Sequence, residues 1–132
     1  MRTRSPLMNA NKTVSLAAFL LGLAVIFGAF GAHGLESKLS AQALDTYHTG
    51  VTYHYYHAFG LLLLGLWEKL FQSQVFLAKC LFLVGILLFS FNCYIYALTS
   101  IKVFAMIIPL GGLCFVAGWL VFSIKSFKQN SY

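Results

Sequence analysis

Apolar positions along the chain fall into four long runs, at about residues 14–32, 51–70, 76–98 and 103–124, separated by short polar breaks. Each run approaches the roughly 20 residues that about 30 Å of hydrocarbon requires at about 1.5 Å rise per residue. Short breaks make successive runs antiparallel neighbours, and only residues 34–50 form a longer connection. Within it Leu39, Ala43, Leu44 and Tyr47 recur at near-helical spacing with polar residues opposite, and Ser40 can serve as N-cap. The pattern predicts an all-α membrane protein, a bundle of four transmembrane helices with a short interfacial helix, as one domain over residues 1–132.

Composition removes the soluble alternative. With 60% hydrophobic and only 9% charged residues in 132, the chain has too few polar side chains to cover a water-soluble globule. Arg2, Arg4, Lys12, Lys69, Lys79, Lys125 and Lys128 fall on one side of the four runs, against Lys38 and Lys102 on the other. That bias predicts both termini in the cytoplasm and places the interfacial helix on the outer surface. The net charge of +6 then belongs with anionic lipid headgroups of a bacterial inner membrane rather than with nucleic acid. A signal-peptide reading, with Arg2 and Arg4 before the first run and a small-x-small site at Ala29-Phe30-Gly31, is disfavoured. The run exceeds the usual apolar core of about 7–15 residues.

With this orientation the residues that are polar or weaken a helix collect in the outer half. His33 and Gly34 end the first run, and Tyr53, His54 and His57 open the second. Ser90, Asn92, Tyr94 and Tyr96 close the third, and Pro109, Gly111 and Gly112 lie early in the fourth. Polar groups in hydrocarbon cost several kcal/mol unless partnered, so they should face one another. Pro109 also frees the carbonyl of Ala105. The expectation is an outward-opening polar pocket or network built from His33, Tyr53, His57, Ser90, Tyr94, Pro109, Gly111 and Gly112. Ala24, Gly28 and Ala32, spaced by four, form a small-residue stripe for helix packing.

Chemistry beyond a network is weakly encoded. His33, His54 and His57 are the candidate metal or haem ligands, yet no Cys-His spacing accompanies them and the nearest carboxylates are Glu36 and Asp45. The expectation is a tyrosine–histidine network without a metal. Cys80, Cys93 and Cys114 lie inside runs and suggest packing rather than disulfides. Glu68 beside Lys69 suggests a local ion pair at the inner boundary.

The blocks GAFGAHGL, TGVTYHYYHAFGLLLL, FSFNCYIYAL and IIPLGGLCFVAGWL resemble the successive signatures of a family of small membrane proteins. Its domain is titled domain of unknown function four-two-three, and a eukaryotic relative is transmembrane protein two-five-six. The family's second block usually has glutamine where His54 stands, so the resemblance puts weight on His57 and Tyr94. It implies a bacterial inner-membrane protein without naming an activity. The leading functional expectation is a non-enzymatic component, either an accessory subunit of a larger complex or homo-oligomer, or a binder of a lipid-like or quinone-like molecule. A metal- or haem-dependent enzyme or carrier using His33 and His57 is the alternative. A small transporter is disfavoured by the charge bias and the lack of a mid-span acid. No cofactor is identified.

Overall fold

The computed structural model describes residues 9–129, so Arg2 and Arg4 of the charge count lie outside the described residues. Four helices run up and down: α1 (Ala10–Leu35), α2 (Ala41–Phe71), α3 (Phe76–Thr99) and α4 (Lys102–Gln129). No strand occurs among the described residues. Asn9 caps α1 by accepting from the Lys12 N–H at 3.0 Å, and Ser40 caps α2 by accepting from the Ala43 N–H at 3.1 Å. Left-handed residues stop two helices, Gln72 (φ 51°) after α2 and Ser100 (φ 57°) after α3. The Gln72 amide donates to the Lys69 carbonyl at 2.8 Å, covering one of the carbonyls a helix end leaves open.

Three of the helices, α1, α3 and α4, are long and apolar enough to cross a membrane. The separate interfacial helix expected before residue 51 does not exist. Residues 41–71 form one helix, because the only glycine between the two segments, Gly50, sits in ordinary helical conformation with α3 against it. Its opening turns carry Gln42, Asp45, Thr46 and His48, which makes α2 the most polar of the four.

In space the helices follow chain order, with α1 packed on α2, α2 on α3 and α3 on α4. A central cluster of Ala17, Leu20, Ala58, Leu61, Ile86 and Phe115 takes at least one residue from every helix. The outer faces of α1 and α4 are covered by nothing: only 22% and 17% of their apolar stretches are buried, against 44% for α3. Phe19, Ile26, Met106, Leu113, Leu120 and Phe127 stand exposed there. In a membrane protein such faces meet lipid, which hydropathy alone already favours. The end holding Asn9, Phe71 and Gln129 is called the near end below, and that holding Leu35, Ala41 and Thr99 the far end.

Two helices contain wide, π-type turns, Gly31–Leu35 at the end of α1 and Ile86–Phe91 in the middle of α3. Such turns loosen the backbone ladder and need other partners for the freed carbonyls. The Asn92 side chain supplies them in α3, its amide donating to the Leu87 and Leu88 carbonyls at 3.1 and 3.0 Å. Here α4 comes closest: a Cβ on Gly111 would collide with the Phe89 backbone nitrogen and lie 2.7 Å from the Leu88 carbonyl carbon.

The small-residue stripe needs correction at one member. Ala24 is fully buried and Gly28 faces Val51, but Ala32 is exposed. Steps of four drift about 40° around a helix with 3.6 residues per turn, so a third member leaves the seam. The step of three from Gly28 returns to it at Gly31, where a Cβ would stand 2.6 Å from the Tyr47 ring.

Candidate functional site

Polar side chains gather at three levels of the bundle. At the far end, the room left by Gly31 admits Tyr47, whose hydroxyl donates to the Phe27 carbonyl at 2.6 Å. Gly50, one turn on, lets α3 approach: a Cβ there would lie 2.8 Å from Cys93 Cβ and 2.9 Å from the Tyr94 ring. Tyr94 thereby reaches His54, with its hydroxyl 2.9 Å from Nδ1. The rings of Phe27, Tyr47 and Phe91 close around this pair. The other His54 nitrogen, Nε2, is buried without a hydrogen-bond partner. Ser90, also fully buried, has no hydrogen-bond partner for its hydroxyl.

At mid-height His57 is 4% exposed and lies face to face with Phe115, ring centroids 3.4 Å apart, with Phe82 edge-on at 5.3 Å. Nδ1 is 2.8 Å from the Tyr53 carbonyl oxygen, and Nε2 accepts from the Trp119 indole N–H at 3.1 Å. An indole only donates, so the imidazole is the neutral tautomer with its proton on Nδ1. Both nitrogens are used.

The near end holds the charged level. Glu68 and Lys79 are 7% and 2% exposed, and Lys79 Nζ lies 2.9 and 3.0 Å from the two carboxylate oxygens. The carboxylate also accepts from the Val75 N–H at 2.9 Å, which caps the start of α3, and Lys79 donates to Thr13 Oγ1 at 3.3 Å. One acid thus joins α2 to α3, and its lysine joins both to α1. The expected Glu68–Lys69 pair is replaced by this one, because side chains one residue apart on a helix point in different directions.

The remaining predicted residues are placed apart. His33 is exposed at the far end, and Pro109 is exposed on α4 without ending that helix. Tyr53 is 39% exposed on the rim of the His57 level, against Phe89. Gly111 is a backbone contact, whereas a Cβ on Gly112 would meet nothing closer than 3.8 Å. His54 and His57, about 60° apart on α2 at 100° per residue, serve different neighbours. His54 takes Tyr94, which the sequence suggested for His57, and His57 takes Trp119. Among the described residues no three His, Cys, Asp or Glu side chains are grouped to hold a metal. Trp119 and the link of Glu68 through Lys79 to Thr13 went unnoticed in the sequence, and Tyr47 and Asn92 were noted there without the bonds they make. Lys79 carried a signal, being a cation three residues inside an apolar run.

Long apolar helices with their polar side chains turned inward define a small all-helical membrane protein. The chain belongs to the family described as Protein of unknown function (DUF423), whose model matches residues 27–112. A UPF0382 membrane protein of Staphylococcus haemolyticus is 41% identical over 115 residues, 87% of this chain and 94% of the relative. UPF0382 membrane proteins of Staphylococcus saprophyticus and Bacillus subtilis (YwdK) are each 43% identical, over 87% of this chain and 96% and 95% of theirs. No solved structure matches the chain.

Proposed function

We propose that the chain is a four-span, non-enzymatic protein of the bacterial cytoplasmic membrane, with both termini inside, acting as an accessory subunit of a larger membrane complex. The observation that carries this reading is how the interior polar groups are used. His57 spends both ring nitrogens on Tyr53 and Trp119, and Glu68 spends its carboxylate on Lys79 and the start of α3. These groups hold helices together, while α1 and α4 keep broad apolar flanks turned outward. The same bonds, and the exposure of His33, count against a metal or haem held by His33 and His57. For α2 as the fourth span, Tyr47 and Glu68 are separated by about 30 Å along the helix, the thickness of the hydrocarbon. The near-end lysines, Lys12, Lys69, Lys125 and Lys128, support the cytoplasmic side for that end.

The test is purification from native membranes in mild detergent, with mass spectrometry of the proteins that accompany the chain. A stoichiometric partner polypeptide is expected. A chain that elutes alone with a retained metal or chromophore overturns the accessory reading. Reporter fusions after Gln74 and Tyr132 should mark the cytoplasm, and those near Gln42 and Ser100 the outside. A C-terminus reported outside removes the topology.

A further inference from the structure

The near end also contains a groove that the helix contacts do not fill. It is about 520 Å³ in volume and lies between the last turns of α2 and α4, lined by Trp67, Phe71, Ser123, Ser126 and Phe127. Its walls divide by chemistry. Trp67 and Phe71 form one aromatic side, their rings 4.1 Å apart, and Phe127 stands 80% exposed. The serines are the polar side: Ser126 donates to the Ser123 carbonyl at 3.0 Å, and Ser123 is exposed. Aromatic walls beside hydroxyls at a helix end are what a molecule with an apolar chain and a polar head meets at the membrane–water boundary.

Charge selects among such molecules. Of the acidic side chains in the sequence, Glu36, Asp45 and Glu68, the first two lie toward the far end. Glu68 is buried against Lys79. Lys69, Lys125 and Lys128 are exposed on the helices that form the groove, on turns adjoining its walls. They do not line it, but their four-carbon stems carry the ammonium groups into the headgroup layer around it. A neutral head would leave this field unanswered.

We propose that this groove seats one anionic phospholipid, its phosphate at the outer level against the Ser126 hydroxyl and an acyl chain running inward against Trp67. The seat is independent of the accessory role proposed above and of which side of the membrane the near end faces.

The test uses the full chain in nanodiscs with acyl-brominated lipids, which quench nearby tryptophan. Brominated phosphatidylglycerol is titrated into phosphatidylcholine, and the labels are then reversed. Quenching of Trp67, obtained by subtracting the signal of Trp67→Phe, should correspond to phosphatidylglycerol enriched about fivefold over its share of the bilayer, the preference expected from one lysine–headgroup contact. Lys125→Gln/Lys128→Gln should reduce that enrichment, Ser126→Ala should lower quenching by both lipids alike, and inorganic phosphate should not compete. Equal quenching by both lipids at their bulk fractions overturns the proposal, as does displacement by phosphate. Should Trp67→Phe fold poorly, native mass spectrometry of the wild-type chain from an equimolar lipid mixture decides the matter. A retained phosphatidylglycerol adduct supports the seat, and equal or absent adducts overturn it.

Discussion

The charged cluster at the near end and the neutral cluster at the far end solve the same problem in opposite ways. Glu68, Lys79, Thr13 and the Val75 N–H satisfy one another through several short bonds. His54 and Tyr94 share one bond and leave His54 Nε2 and the neighbouring Ser90 hydroxyl without partners. The difference follows from cost. An unpaired charge away from water is penalised far more heavily than an unpaired hydroxyl or imidazole nitrogen. The charged cluster is therefore intolerant of losing a member, and the neutral one has slack.

The largest effect should come from breaking the charged pair on one side only. Glu68→Ala leaves Lys79 buried without its carboxylate and uncaps α3, for a loss of about 3–5 kcal/mol. Glu68→Leu/Lys79→Met, which removes both charges, should recover most of that loss. Thermal melts of detergent-purified protein measure both. A double variant no better than the single would show that the capping bond to Val75, not the charge, governs this end.

Backbone contact ranks next and joins the two clusters through α3. Gly111→Ala pushes a methyl into the Phe89 backbone, which cannot move as a flexible side chain can, and overpacking of this kind costs about 1–3 kcal/mol or more. Gly112→Ala meets only the edge of the Phe89 ring at 3.8 Å. It should be neutral or slightly stabilising, since alanine is the better helix former by about 1 kcal/mol. Folded yields of the two variants, side by side, check the contrast. Equal yields would remove the close crossing at the wide turn of α3.

How much of this was legible in the sequence depends on the distance over which each feature is decided. Helix existence and the Ser40 cap are local, and both were readable from apolar run length and residue type. The continuity of α2 was hidden, because Gly50 resembles a break in sequence and becomes a helix crossing only once Cys93 and Tyr94 pack on it. Pairing was the least legible. Glu68 and Lys79 meet across the turn that ends at Val75, and His57 meets Trp119 sixty-two residues away. Nothing on α2 alone distinguishes Tyr94 from Trp119 as partner for either histidine.

Between the clusters, His57 tests whether a doubly bonded neutral group behaves like a charged one. His57→Leu leaves the Trp119 N–H without an acceptor and loses the stack on Phe115, while Trp119 at 39% exposure retains room to turn. Interhelical hydrogen bonds in membranes average about 0.6 kcal/mol with a maximum near 1.7, so a loss of about 1–2 kcal/mol is expected. His57→Gln keeps an acceptor for the indole and should lose less. Melting temperatures rank the two. A leucine as stable as histidine would reduce this level to aromatic packing.

The smallest effect should come from a glutamine at His54, although this is the more deeply buried histidine. Its single bond is to the Tyr94 hydroxyl, and its second nitrogen has no partner. A glutamine there offers the Tyr94 hydroxyl either an acceptor or a donor on a more flexible stem, and so can keep the one bond the histidine makes. His54→Gln should therefore change stability by less than about 0.6 kcal/mol, the average interhelical hydrogen bond in a membrane. His54→Leu strands the tyrosine hydroxyl and should approach the maximum near 1.7. Paired melts of the two variants settle the point. A glutamine as damaging as Glu68→Ala would mean that the neutral cluster has no slack and that both ends are held by interactions of equal weight.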